Sequence, residues 1–215
     1  TQDAWGEVVR TRAYDQLTLE EIESKISQFI GKITQMVPAY SAVKVEGIPL
    51  YKRMRLGMET KSRSRQVTVY KIEIIKYKPP RLIFMINCSK GTYVRTICHD
   101  LGEALGVGGH LSFLLRTKVG NFTLQESITL EEIATLKEKA LLPLEICVEG
   151  LAQIVLSEKE ITKIKHGQAL SLSEPFPLLK NMAVFNTQGK LEAIAEIIPI
   201  NNKLILKPKK VLKRE

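Results

Sequence analysis

The sequence predicts an α+β chain: a mixed, mostly antiparallel sheet with flanking helices, followed by a small β-barrel. Three observations carry this. Gln66 to Tyr77 is a long extended run that Pro79-Pro80 turns back into the alternating Leu82 to Cys88, the pattern of an antiparallel pair with one buried face. Two segments open with Thr-Leu-Glu-Glu, at Thr18 and Thr129, each ahead of apolar residues at helical spacing. Beyond Glu149-Gly150 the pattern changes to short extended runs around a Thr187-Gln188-Gly189 turn, which divides the chain into 1–149 and 150–215.

Taken in order, Gly6 to Tyr14 reads as a strand, with Val8 and Val9 in a polar frame. At Thr18 the hydroxyl can bond the Glu21 amide while Glu21 reaches back, and Leu19, Ile22, Ile26 and Ile30 mark the helix that follows. Pro38 to Gly47 is a short extended element closed by a turn. Pro49 then opens a short basic helix, Leu50 to Leu56, which Gly57 stops. In the long strand the order Val67, Val69, Ile72, Ile74 breaks its alternation, as a bulge does. Gly91 to Leu105 is helical. Gly106-Val107-Gly108-Gly109 breaks it, and His110 to Thr117 leads to a second glycine turn at Gly120. In the last part Ile154–Leu156, Ala183–Asn186, Leu191–Ile198 and Leu204–Leu206 are strand-like, and a short helix starts at Ser157 and ends at His166-Gly167. A unit of about 65 residues is marginal on its own.

The chain has 32 basic and 23 acidic residues, a net charge of +9, which suits a polyanionic partner. Lys44, Lys52, Arg53, Arg55, Lys61, Arg63 and Arg65 cluster against only Glu46 and Glu59. Lys203, Lys207, Lys209, Lys210, Lys213 and Arg214 crowd the C-terminus. No apolar run approaches the ~18 residues of a membrane span, so no membrane partner is expected. Cys88, Cys98 and Cys147 form neither a disulfide set nor a metal-ligand spacing, and His99, His110 and His166 are scattered. Reduced thiols in a cytoplasmic protein, with no metal, are the expectation. The glycines lack the order and the following Lys of a phosphate-binding loop.

The most informative stretch is Cys88-Ser89-Lys90-Gly91-Thr92-Tyr93-Val94-Arg95-Thr96-Ile97-Cys98-His99-Asp100. It sets Lys90, Tyr93 and Arg95 at a strand-to-helix junction, where side chains are held rigidly. By its chemistry Arg95 is either a surface residue of the helix or a paired donor for phosphate or carboxylate. Asp100, five residues on, points to another part of the helix. Lys44, in Tyr40-Ser41-Ala42-Val43-Lys44-Val45-Glu46-Gly47, reads by itself as a solvated strand lysine, and Leu114 as core.

The wording around Arg95 closely resembles the Arg-bearing motif of the TruB family, bacterial tRNA pseudouridine synthases that act on the T-arm. Tyr40 to Gly47 resembles the family's Tyr-Ser-Ala-x-Lys-x-x-Gly motif, and Gly109 to Thr117 its Gly-x-His-x-x-x-Leu-x-Arg-Thr segment. Leu151 to Leu212 resembles, more weakly, the PUA-type RNA-binding domain that ends these proteins. Thr1-Gln2-Asp3-Ala4-Trp5-Gly6 is similar to the family's Thr-x-Asp-x-x-Gly strand start. The resemblance covers essentially the whole chain. Ser89-Lys90 and the short C-terminus resemble the bacterial stand-alone branch more than the guide-RNA-dependent one.

The resemblance implies a pseudouridine synthase fold and cofactor-free isomerisation of a uridine at position 55 of the tRNA T-loop. It implies that Arg95 pairs with a catalytic aspartate, with Tyr93 and Lys44 also at the catalytic centre. Leu114 and Tyr40 then line the base pocket. Lys52, Arg53, Arg55, Arg63, Arg65, Arg116, Lys207, Lys209 and Lys210 grip RNA phosphates. The family's aspartate lies in a Gly-x-Leu-Asp-Pro-like motif that this sequence lacks, as it lacks the Lys-x-Tyr segment ahead of Thr1. The expectation is a chain cut off at its N-terminal side, inactive alone, with tRNA and the N-terminal segment as partners, and otherwise monomeric. A non-catalytic RNA-binding or tRNA-folding fragment is the alternative.

Overall fold

In a computed structural model, which describes residues 1–14, 16–58, 63–173 and 176–212, the chain divides into two units, Thr1–Leu115 and Arg116–Glu215. The first runs α1 (Leu19–Ile26), β1 (Gly31–Met36), β2 (Lys44–Val45), β3 (Ile48–Pro49), α2 (Leu50–Arg55), β4 (Ser64–Lys78), β5 (Arg81–Cys88) and α3 (Val94–Ala104). β4 is the central strand of an antiparallel sheet ordered β1-β4-β5. The broken alternation in β4 corresponds to two register shifts against β5, at Val69/Lys71 and Ile74/Lys76. The first re-aims the strand so that Val69, Ile72 and Ile74 all face one core with Ile26, Ile97 and Leu101. That core lies between the sheet and helices α1 and α3. The opposite side leaves Tyr70, Ile75, Ile83 and Met85 exposed.

Thr18 and Glu21 form the reciprocal cap at the start of α1, with Glu21 N donating to Thr18 Oγ1 at 3.3 Å and Thr18 N to Glu21 Oε2 at 2.8 Å. Such a cap contributes about 1 kcal/mol. The helix ends at Ile26 instead of continuing to Ile30. A 3₁₀ turn, Ser27–Phe29, follows, and Phe29 takes up the packing while Ile30 is exposed.

Gly6 to Tyr14 is not a strand. Val8 and Val9 are almost fully exposed, and Arg12 ties the segment to α3 and the loop after it. Arg12 donates to Glu103 at 3.0 Å and to the Gly106 carbonyl at 3.3 Å. Just ahead of it, Asp3 forms a parallel bridge with Leu111, and Thr96 Oγ1 donates to Gln2 at 2.9 Å. Two adjacent valines must point to opposite sides, so their apolar character gives no one-sided strand face.

The second unit runs β6 (Lys118–Val119), β7 (Phe122–Thr123), α4 (Leu130–Leu136), β8 (Ala152–Leu156), α5 (Glu158–Lys165), β9 (Leu170–Leu172), β10 (Met182–Asn186), β11 (Leu191–Ile200) and β12 (Lys203–Val211). Its five-stranded sheet is ordered β8-β10-β11-β12-β9, antiparallel except for β8 beside β10. α5 lays Ile161 and Ile164 against Met182, Val184, Ala195, Ile197 and Leu206. On the other side Ala183, Phe185 and Leu191 pack on Val148. Serving two cores explains why Met182 to Phe185 reads as an unbroken apolar run. It also ties the stretch before Gly150 into this unit, since Glu145 accepts the Leu191 amide at 3.0 Å. The Thr187-Gln188-Gly189 turn closes β10 onto β11, with Asn186 Oδ1 accepting the amides of Gln188 and Lys190.

The C-terminal end of α3 fixes the glycine-rich loop. A Cβ on Gly102 would stand 2.2 Å from the Gly109 nitrogen and 2.5 Å from the Gly108 oxygen. Gly102→Ala would be stabilising by about 1 kcal/mol in an open helix. Here the sign reverses, and a loss of about 1–3 kcal/mol is expected from overpacking against backbone. Urea unfolding of the variant checks it. Cys98, also on α3, gives a pH signature. Burial pushes its thiol up from the ordinary 9.0 to about 11. The folded state holds that proton more tightly than the unfolded chain, so stability falls as pH rises through this range and is insensitive to the group below it. Cys98→Ala should remove that slope, read from urea midpoints at about pH 8 and about pH 10.

Candidate active site at the start of α3

The strand-to-helix junction is held by side chains from β1 and β4. Gln35, on β1, is 1% exposed and grips the backbone of Tyr93. Its Nε2 donates to the Tyr93 carbonyl at 3.0 Å, and the Tyr93 amide donates to its Oε1 at 2.8 Å. Tyr93 is the N-cap residue of α3 and makes no side-chain cap bond, and Gln35 takes its backbone amide, the bond that an N3 Glu makes in a capping box. Ser89 is laced to β4 in the same way: its Oγ accepts the Thr68 amide at 2.9 Å and its amide donates to the Thr68 carbonyl at 2.8 Å. The turn between them uses Gly91 at φ +84°.

Arg95 sits in the first turn of α3. One terminal nitrogen donates to the Tyr40 carbonyl, and the guanidinium carbon lies 5.5 Å from the centre of the Tyr93 ring. Its Nε is buried and has no hydrogen-bond partner. Ser41 Oγ, next in sequence to that carbonyl, is buried and unpartnered as well. No carboxylate among the described residues pairs with Arg95. A cation at a helix N-terminus opposes the helix dipole, so Arg95 adds nothing to α3 by its position. A half-buried guanidinium with an unbonded Nε has donor capacity left for an anion.

Of the residues singled out from the sequence, Arg95, Tyr93 and Tyr40 come together. Lys44 is exposed on the β2–β3 hairpin, and Leu114 is half-exposed after Leu111. The basic residues separate into two groups. Arg53 is drawn in, bonding Glu46 at 2.9 Å and the Val45 carbonyl at 3.4 Å, and Arg65 bonds the Gly91 carbonyl at 3.2 Å. Lys209 bonds the Lys180 carbonyl at 3.0 Å and Asn181 at 3.2 Å. Lys52, Arg63, Arg116, Lys207 and Lys210 are exposed, as is Arg55, which lies over the Tyr51 ring at 5.9 Å. Lys61, Lys213 and Arg214 lie outside the described residues.

Gln35 is the functional residue that sequence reasoning passed over. The available signal was its place between Ile33 and Val37, an inward position filled by a polar residue. Gln35→Leu keeps the bulk but orphans the Tyr93 amide, while the carbonyl keeps its bonds from Thr96 and Ile97. A loss of about 1–3 kcal/mol is expected, together with faster hydrogen exchange at the Tyr93 amide. Urea unfolding and amide exchange measure the two effects.

The chain is similar to known proteins over most of its length. Residues 1–94 match the N-terminal domain of the TruB family pseudouridylate synthases, and residues 95–149 the tRNA pseudouridylate synthase B C-terminal domain. The chain is 42% identical to the tRNA pseudouridine synthase B of Streptococcus pyogenes serotype M2, covering 99% of itself and 73% of that protein. It is 34% identical to that of Syntrophomonas wolfei, with the same coverage. It is 37% identical to that of Ralstonia pickettii, where it spans 91% of itself and 64% of the relative. Among solved structures it resembles a chain of a Cbf5-Nop10-Gar1 complex, with TM-score 0.71 and 24% identity over 94% of this chain and 64% of the other. It likewise resembles a chain of an H/ACA RNP bound to a substrate RNA containing 2'-deoxyuridine, with TM-score 0.70 and 21% identity over 95% and 64%. At those identities the structures speak for the fold, and on the sequence matches the chain belongs to the TruB family of pseudouridylate synthases.

Proposed function

We propose that this chain serves the isomerisation of uridine to pseudouridine at position 55 in the T-loop of tRNA. The observation that carries the reading is the incompletely bonded Arg95 at the start of α3. The reaction breaks the C1′–N1 bond of the nucleotide, joins C1′ to C5, returns a proton to N1 and releases the C5 hydrogen to water. Nothing in that balance calls for a cofactor. The uridine must leave the base stack to react, at a cost of a few kcal/mol, roughly, offset by contacts in the pocket. An aspartate nucleophile must stay ionised beside it. A guanidinium holding that carboxylate lowers its pKa and fixes its direction. Arg95 is assigned that work, with Tyr93, Tyr40 and Leu114 around the base and Lys44 beside them.

The sequence has three aspartates, Asp3, Asp15 and Asp100, and none is followed by Pro as in the family's motif. Asp3 Oδ1 accepts the Trp5 amide at 3.1 Å, and Asp100 is held toward its neutral form by burial on α3. These residues therefore bind tRNA and await an aspartate carried elsewhere, and taken alone they act as an RNA-binding fragment. The exposed lysines and arginines of α2, together with those of a PUA-like 150–215 segment, meet the T-arm phosphates, making binding salt-dependent. A cytoplasmic monomer fits this role.

Tritium release from tRNA carrying 5-tritiated uridine tests the reading. The 215-residue chain should bind the tRNA and release nothing. A form that also carries the family's aspartate segment should release tritium catalytically. In that form Arg95→Ala should lower turnover by about two to three orders of magnitude while tRNA affinity changes far less. Equal losses in rate and affinity would remove Arg95 from the role of orienting the acid.

A further inference from the structure

We infer that Arg65 is a positioning residue for the Tyr93–Arg95 pair, and not a phosphate contact; this rests on the reaction proposed above. Charge and clustering alone place Arg65 with the RNA-gripping residues. Its surroundings say otherwise. Arg65 lies directly opposite Gln35 in the β1–β4 register, and residues so paired share a face of the sheet. Both reach the same turn. Gln35 holds the Tyr93 backbone, and Arg65 donates to the Gly91 carbonyl at 3.2 Å. The Arg65 guanidinium also lies over the Tyr93 ring, 5.3 Å from its centre, the same ring that Arg95 approaches at 5.5 Å.

Two guanidiniums drawn to one ring fix its orientation, because each is attracted to the π-face and they repel each other. Gly91 makes room for the arrangement. A Cβ there would stand 2.9 Å from the Arg65 Nη1, and the residue's positive φ excludes most side chains in any case. The half-buried guanidinium of Arg65 is thus spent on the protein's own carbonyl and ring. The planar fork matters here and the charge alone does not suffice, which separates this role from that of a phosphate contact, where Lys serves well.

Arg65→Lys and Arg65→Ala are the test, the first keeping the charge. In a form carrying the aspartate segment, kcat should fall about tenfold or more in both, with KM, the tRNA Kd and its salt slope unchanged. A salt slope reduced by about one in Arg65→Ala and restored in Arg65→Lys, with kcat kept, would show a phosphate contact and overturn the inference. If the wild-type form turns over no tRNA, the reaction proposal fails, and NMR of the 215-residue chain decides the placement independently. With Arg65→Lys melting as the wild type does, shifted Tyr93 ring and Arg95 Nε–H resonances support positioning. Unmoved resonances overturn it.

Discussion

The two hydrogen bonds between the Gln35 amide and the Tyr93 peptide join a strand to the start of a helix that follows it by almost sixty residues of chain. Everything at the candidate site hangs from that junction. Tyr93 sets where α3 begins, and α3 sets the direction of Arg95 in its first turn. The same peptide also accepts from the Thr96 and Ile97 amides, so the helix's own first bonds start from a carbonyl already held in place. An amide side chain can do this because it offers a donor and an acceptor together, matching the peptide it meets. Buried at 1% exposure, it meets little competition from water, and leaving either end unmade would cost more than the bond contributes.

Around that junction the chain accepts arrangements that do nothing for stability. Arg95 stands where the helix dipole disfavours a cation, with a buried Nε lacking an acceptor. Ser41 Oγ repeats the pattern beside the Tyr40 carbonyl. The second unit offers a contrasting case. In the second unit Glu192 is buried yet accepts from Asn186 at 2.8 Å and pairs with Lys165 at 2.9 Å. The contrast sets the start of α3 apart: Glu192 is closed by its own chain, while Arg95 keeps a donor open.

Local devices were legible in the sequence because they are made of neighbours. Both Thr-Leu-Glu-Glu caps form, the Pro79-Pro80 turn pairs β4 with β5, and the Thr187-Gln188-Gly189 turn closes a hairpin. What escaped has non-local causes. β1 carries an inward Gln35 where a strand pattern would show an apolar residue, so its alternation was hidden by the residue that matters most. β9 is three residues long and exists because β12 offers an edge. Gly6 to Tyr14 was read as a strand from its valines, but its polar ties to α3 and the following loop decide its course. At the candidate site the strand-to-helix junction was legible in the wording around Tyr93 and Arg95, while the groups that hold it lie on two other strands.

The basic residues show how far charge can carry a functional reading. A net +9 says that a polyanion is a fitting partner, and clustering narrows the place. Neither says which guanidinium or ammonium is available. Arg53 is engaged by Glu46 and a carbonyl, Lys209 by two carbonyl-type oxygens, and Arg65 by Gly91 and an aromatic ring. Each would have to give up protein contacts to take a phosphate, and that exchange returns little. Lys52, Arg63, Lys207 and Lys210 stand in solvent and give up only water. An approaching polyanion therefore meets the second group at lower cost than the first. Arg65 is the informative case, since its place beside Tyr93 turns what reads in the sequence as one more positive charge into part of the frame that aims Arg95.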